Sequence, residues 1–270
     1  MRIARYVVGD QIQFGAVELA SDGGQNPETV ASLTSDPLAG PVNYTGERHQ
    51  LSDVRLLAPV IPRSKVVGIG RNYAAHAAEL GNEIPDEPLV FLKPNTSVIG
   101  PGEAIVRPAT TNNLHYEGEL AVVIGRICRD VPKDRVPDVI FGYTVANDVT
   151  ARDLQNSDGQ WTRAKGYDTF CPLGPWIVTH LSLDEVGDLA IQTRLDGVVV
   201  QDATTKLLVR DVATLVSYVS SFVTLLPGDV ILTGTPAGVG PMTPGQHVEV
   251  EIAQIGTLDN VVVGDAGADS

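Results

Sequence analysis

Three acidic residues stand where a carboxylate is costly unless something neutralises it. Glu117 and Glu119 lie in Leu114-His115-Tyr116-Glu117-Gly118-Glu119-Leu120-Ala121-Val122-Val123. On a strand their side chains share one face, because side chains alternate with period two. Such a pair leading into an apolar run either faces solvent at a strand edge or holds a cation. Hard oxygen donors of this kind suit Mg²⁺, Mn²⁺ or Ca²⁺. Asp148 sits in the largely apolar run Tyr143-Thr144-Val145-Ala146-Asn147-Asp148-Val149-Thr150. It either caps a turn through residues 150–154 or adds a third oxygen donor. Three negative charges drawn together require a divalent ion, or each raises the others' pKa.

Other residues offer proton transfer and anion contacts. His76 and Glu79 are spaced i, i+3 in Gly68-Ile69-Gly70-Arg71-Asn72-Tyr73-Ala74-Ala75-His76-Ala77-Ala78-Glu79, on one face of a helix. They are either a surface pair or a base whose tautomer a carboxylate fixes. Gly68-Ile69-Gly70 lacks the third glycine of a dinucleotide fingerprint, and no His-Glu-x-x-His zinc motif occurs. Lys165 lies in a Gly- and aromatic-rich loop, either as a surface charge or beside the carboxylates. Cys171, between Phe170 and Pro172, reads as a buried, inert thiol. In Thr233-Gly234-Thr235-Pro236-Ala237-Gly238-Val239-Gly240-Pro241 the Lys of a phosphate loop is missing. These glycines either make a tight turn or let backbone approach a ligand, with Thr235 offering a hydroxyl.

The elements that must carry these groups are mostly strands. Runs at 66–70, 89–92, 114–124, 141–149, 176–178, 189–195, 198–200, 230–233 and 248–252 are β-branched or alternating between turn signals. Asp196-Gly197 marks a hairpin. Two helices are predicted. One spans 72–80 and stops at Gly81; the other spans 212–226, capped by Asp211 and ended by Pro227-Gly228. Strands do not alternate with long helices, which argues against a doubly wound parallel sheet. The expectation is an α+β fold, a mixed and largely antiparallel β-roll. Runs at 3–8 and 12–19, a polar stretch at 21–27 and several Pro/Gly turns set the start of the chain apart. The expected division is a small N-terminal β domain, 1–61, and a catalytic domain, 62–270.

Composition narrows the function. The 270 residues carry 19 Lys and Arg against 33 Asp and Glu, a net charge of −14. So acidic a chain repels phosphate backbones, which excludes nucleic acid and anionic membrane surfaces as expected partners. A chain this long buries about 70% or more of its unfolded surface and needs no disulfide staples. Its two cysteines, Cys128 and Cys171, make no disulfide framework. The first ten residues lack the apolar core of a signal peptide, and no run is long enough to span a bilayer. The expected location is cytoplasmic.

Six segments taken in order resemble the fumarylacetoacetate hydrolase superfamily, in its acylpyruvate hydrolase and oxaloacetate decarboxylase branch. They are Gly70-Arg71-Asn72-Tyr73 with His76 and Glu79, Phe91-Leu92-Lys93-Pro94, His115-Tyr116-Glu117-Gly118-Glu119-Leu120, Asn147-Asp148-Val149-Thr150-Ala151-Arg152-Asp153, residues 165–172, and Gly234-Thr235-Pro236-Ala237-Gly238-Val239-Gly240. The match covers about residues 63–263; the first 60 residues lie outside it. The resemblance implies a homodimeric β-roll enzyme with Mg²⁺ or Mn²⁺ on Glu117, Glu119 and Asp148. It implies that His76 and Glu79 form a water-activating dyad on a lid helix, with Lys165 beside the metal. Arg71, Gln155 and Thr235 match positions that hold the substrate's carboxylate and oxo groups. The activity it implies is hydrolysis of a carbon–carbon bond in 2,4-dioxo acids such as fumarylpyruvate. Oxaloacetate decarboxylation, or isomerisation or decarboxylation of 2-hydroxyhepta-2,4-diene-1,7-dioate-type acids, are alternatives within the family. A non-catalytic metal-binding protein is the alternative outside enzymes.

Overall fold

The computed structural model describes residues 1–20 and 28–265; the polar stretch at 21–27 lies outside them. Ten strands run side by side in one sheet. Their order is Tyr44–Gln50, Thr29–Leu33, Gln11–Glu18, Arg2–Val8, Cys171–Val178, Ile140–Asn147, Gly118–Ile124, Val230–Leu232, Val66–Gly70 and Leu89–Lys93. Two short strands, Arg55–Leu57 and Val98–Ile99, pair with Arg2–Val8 and Cys171–Val178. Neighbours along the main path are antiparallel except Val230–Leu232 beside Val66–Gly70. A second sheet of five strands runs Val198–Thr204, Ala190–Leu195, His247–Ile252, Gly256–Gly264 and Ile105–Arg107. A third, small sheet joins Thr150–Ala151, Leu114–Tyr116 and Gly240–Met242. The fold is α+β and largely antiparallel, as the strand-rich sequence pattern anticipates.

Gly118–Ile124 is buried at every position, which explains its unbroken apolar run. Leu120 and Val122 pack with Val145 against Ile191, Val250 and Ile252 of the second sheet. Ala121 and Val123 face the other way, into a cluster with Leu173, Val230 and Leu232. The strand that leads out of the acidic segment is thus covered on both faces, a rigid base for Glu119.

The helices are few and short: α1 (Ala74–Glu79), α2 (Arg152–Ser157), α3 (Thr162–Lys165), α4 (Leu183–Val186) and α5 (Val212–Phe222). α1 ends near Gly81 as expected; Gly81 takes φ of 68° and its N–H reaches the Ala78 carbonyl. Asp211 caps α5 through the Thr214 N–H. The expected extent of that helix, to residue 226, is wrong. It stops at Phe222 because Leu225 exchanges both backbone hydrogen bonds with Cys128. α4 carries a capping box between Ser182 and Glu185, a signal present in the sequence that the periodicity reading passes over. Asp196 and Gly197 both take positive φ, 50° and 77°, at the tip of the expected hairpin. Among the described residues no helix is long and apolar enough to cross a membrane.

Candidate active site

The run expected to be one strand at 114–124 is two, broken at Glu117. The two pieces enter different sheets, yet pairing with Ile140–Asn147 continues past the break. Gly118 faces Asn147, the Asp148 N–H donates to the Glu117 carbonyl at 2.8 Å, and the Glu117 N–H donates to Asn147 Oδ1 at 2.9 Å. That register sets Asp148 opposite Glu117. One ligand atom from each of Glu117, Glu119 and Asp148 lies within 4.8 Å of the others. All three side chains are buried, so the solvent-edge alternative is excluded. Only glycine fits between the two glutamates, because a Cβ at Gly118 would stand 2.3 Å from Thr193 Oγ1.

Three buried cations converge on these carboxylates. Lys165 Nζ donates to Glu117 Oε2 at 2.7 Å and to Asp148 Oδ2 at 2.6 Å. Lys93 Nζ pairs with Asp148 Oδ1, and Arg152 with Glu117 Oε1. Burial pushes the Glu117 carboxyl up, but Lys165 and Arg152 outweigh it and hold it well below the usual range. Burial also opposes the charged form of Lys165, yet Asp148 and Glu117 raise it above its ordinary value. Glu119 differs. It accepts from the Gly234 N–H at 2.6 Å and forms no ion pair among the described residues. Burial first, then the charges of Asp148 and Glu117, push it well above the usual carboxylate range. A purely structural network would compensate all three carboxylates. This one leaves Glu119 charged only at a cost, and an all-oxygen donor set of this charge fits a hard divalent cation.

Beside the carboxylates is a cavity of about 370 Å³. His76 lines it, with Nδ1 3.3 Å from Glu79 Oε2. Glu79 also accepts from the Gly238 N–H at 3.1 and 3.2 Å, which ties α1 to the glycine-rich loop. Thr235 lines the cavity as well, its hydroxyl donating to the Gly118 carbonyl at 2.9 Å and accepting from Gln201 Nε2 at 2.9 Å. Gln155 lines it with Oε1 2.5 Å from Arg152. Arg71 lines it on a backbone of φ 57°, a strained conformation for a residue with a Cβ. Its guanidinium has no hydrogen-bond or ion-pair partner among the described residues, which leaves it for an anion. The residues expected from the sequence to form the site thus line this cavity, except Glu79, which stands behind His76.

Residue type and spacing alone point to no role for Lys93, Arg152, Phe91, Trp161 or Gln201. Lys93 and Arg152 are buried cations, and only the fold shows which carboxylates they meet. Phe91 and Trp161 pack edge to face, with centroids 5.5 Å apart, and wall the cavity. Gly68 and Gly70 seat these rings: added Cβ atoms would stand 2.2 Å from Phe91 and 2.8 Å from Trp161. The Gly-x-Gly pair therefore makes room for aromatic rings. Cys171 is buried, and burial pushes its thiol up to about 12, so it is inert as read.

A family model described as fumarylacetoacetate (FAA) hydrolase C-terminal matches residues 65–263. A second, described as Rv2993c-like, N-terminal, matches residues 1–59. The chain is 51% identical over 263 residues to Protein Rv2993c of Mycobacterium tuberculosis, spanning 97% of this chain and 98% of that one. Among solved structures it is similar to 5-carboxymethyl-2-hydroxymuconate delta-isomerase from Mycobacterium smegmatis, at 48% identity and a TM-score of 0.89 over 98% of this chain and 100% of that one. It is also similar to fumarylpyruvate hydrolase from Pseudomonas aeruginosa in complex with Mn²⁺ and pyruvate. There the identity is 33% and the TM-score 0.71, over 78% of this chain and 92% of that one.

Proposed function

The chain belongs to the fumarylacetoacetate hydrolase family, and we propose that it is a divalent-metal-dependent hydrolase that cleaves 2,4-dioxo acids, acylpyruvates such as fumarylpyruvate, to pyruvate and a carboxylic acid. The observation that carries this reading is an imidazole oriented by a carboxylate, His76 on Glu79, at the wall of the cavity that the three carboxylates border. Decarboxylation of a 2-oxo acid needs an electron sink and no water base. Hydrolysis needs both, and a protein that only stores a metal ion needs neither. The Mn²⁺ named for the fumarylpyruvate hydrolase neighbour supports a metal on Glu117, Glu119 and Asp148.

Mg²⁺ or Mn²⁺ held there would supply a Lewis acid for the substrate's 1-carboxylate and 2-oxo group. Arg71, with no other partner among the described residues, meets the substrate's carboxylate, while Gln155 and Thr235 orient the oxo groups. With Nδ1 engaged by Glu79, Nε2 of His76 is the nitrogen left to take a proton from water. That water adds to the distal carbonyl. The bond between C3 and C4 then breaks, and its electron pair passes to the pyruvate fragment as an enolate. Lys165, whose buried ammonium lines the cavity, offsets that charge. The proton held by His76 returns to C3, giving pyruvate and the free acid.

A second reading, isomerisation of an unsaturated dioic acid, is favoured by the isomerase name of the 48% identical structure. In that reading His76 shuttles a proton between carbons. One experiment separates the readings. Mn²⁺-loaded protein is incubated with acetylpyruvate, fumarylpyruvate, oxaloacetate and a 2-hydroxymuconate-type acid, and pyruvate and absorbance are followed. Equimolar pyruvate and acid from an acylpyruvate support hydrolysis. An absorbance shift of the dioic acid without pyruvate supports the isomerase. Tight Mn²⁺ binding with no turnover of any of them defeats both.

A further inference from the structure

α1 has six residues, far fewer than the roughly 12–15 that an isolated helix needs in water. Its position must therefore come from ties outside itself. Before the helix, Asn72 meets the segment at 209–210 through three bonds. Val209 N–H donates to the Asn72 carbonyl at 2.8 Å, Arg210 N–H to Asn72 Oδ1 at 2.9 Å, and Asn72 Nδ2 to the Arg210 carbonyl at 3.0 Å. After the helix, the return arm at 80–88 is exposed along much of its length. There the Arg210 guanidinium donates to the carbonyls of Pro85 at 2.7 Å and Asp86 at 2.5 Å. Tyr218 on α5 adds a bond to Glu87 at 3.1 Å. Both ends of the segment bearing His76 and Glu79 are thus fastened to one residue 138 positions after Asn72.

Arg210 forms no ion pair among the described residues, although Glu83, Asp86 and Glu87 lie on the arm it holds. Its bonds go to main-chain oxygens, which fix the path of the backbone whatever the side-chain rotamers of the arm. It lies outside the cavity lining and touches none of Glu117, Glu119 and Asp148.

We propose that Arg210 is a positioning residue: it clasps the return arm of α1 and so holds His76 and Glu79 over the cavity. This rests on the reading of that pair as the water-activating group. Loss of the clasp leaves the metal ligands in place and lets the dyad stray. A misplacement of about 1 Å costs up to about 10²-fold in rate.

The test uses the full chain as parent, Arg210→Ala and Arg210→Lys. Amide hydrogen exchange, Mn²⁺ affinity by calorimetry, melting temperature and turnover of an acylpyruvate are measured. Arg210→Ala should raise exchange across residues 74–88 by about 10-fold or more and leave the sheets protected. Mn²⁺ affinity should stay within about twofold, because the ligands share no partner with Arg210. kcat should fall by about 10-fold or more. Arg210→Lys keeps the charge and recovers part of both effects. Unchanged exchange at 74–88 overturns the clasp; so does a fall in Mn²⁺ affinity and melting temperature together, which would make Arg210 a general structural residue. Raised exchange with unaltered kcat overturns the positioning role. Exchange needs no substrate. A parent inert to every dioxo acid would therefore defeat the proposed function while exchange still decides the clasp.

Discussion

In the proposed function Glu119 is the carboxylate on which metal and proton would compete. Its folded pKa is raised above the ordinary 4.5 by burial and by Asp148 and Glu117. In chelator the native state therefore binds the extra proton. From about pH 4.5 upward, stability should fall as pH rises through the raised pKa, because the buried charge must then form. Mn²⁺ should reverse that slope. Melting temperature against pH, with EDTA and with Mn²⁺, checks this; parallel curves would refute it. Glu119→Gln keeps the shape, removes the charge, and should flatten the EDTA curve while weakening Mn²⁺ by at least about 10-fold. In the proposed function His76 would act on water and not on the metal. His76→Ala should cut acylpyruvate hydrolysis by about 10²-fold or more, with Mn²⁺ affinity kept. Oxaloacetate decarboxylation should fall less, since the electron sink remains. Steady-state rates on both substrates decide, and an equal loss on both would remove the water-base role.

At the scale of elements, the strand Val66–Gly70 shapes the cavity through what it lacks. Three Phe91 ring atoms would stand 2.2–2.7 Å from a Cβ at Gly68. Gly68→Ala must therefore displace the ring or bend the strand, at a cost of about 1–3 kcal/mol. The centroid of the Phe91 ring lies 5.0 Å from Lys165 Nζ and the ring walls the cavity, so turnover should fall along with stability. Chemical denaturation with assay of the folded fraction measures both. A stable, fully active variant would show that the ring has room to move. The hairpin that carries Gln201 plays a supporting part. Gln201 donates to Thr235 Oγ1 and to the Pro236 carbonyl, at 2.9 and 2.8 Å, and so holds the glycine-rich loop against Gly118.

Across the whole molecule, the first residues are built into the central sheet. Arg2 and Ile3 pair with Val178 and Ile177, on the strand next to the one that ends at Asn147, just before Asp148. A chain beginning at residue 62 would leave the edge at Ile177 and Val178 unpaired and would remove buried Ile3, Tyr6 and Val30 from the core. It should aggregate or lose Mn²⁺ binding, which solubility and calorimetry measure; a monodisperse, metal-binding fragment would show that 62–270 stands alone. Tyr44–Gln50, at the far edge of the sheet, is exposed at nearly every position and carries Glu47 and Arg48, the kind of edge that resists strand addition. We propose that the chain works as a homodimer, since symmetric pairs are the commonest soluble assembly. Sedimentation at micromolar concentration should give about twice 28.6 kDa, and a single species at 28.6 kDa would refute it.

Local pattern was enough for the identity of the carboxylates, the i, i+3 spacing of His76 and Glu79, the Asp196-Gly197 hairpin and the strand-rich class. Those depend on side-chain period and turn chemistry, which a few neighbouring residues encode. The sequence also set Cys171 among apolar neighbours, and burial keeps it inert. What decided between a solvent-facing acidic strand and a buried carboxylate cluster able to hold a cation was long-range. Lys93 meets Asp148 across 55 positions, and Arg152 meets Glu117 across 35. The break at Glu117, the early end of α5 at Phe222 and the grip of Arg210 on Pro85 each arise from a distant partner claiming backbone groups. No local rule names that partner, because a backbone hydrogen bond carries no record of the residue type that supplies it. Residue types and their local period were in the sequence; which charges and carbonyls face one another was settled when the sheets packed.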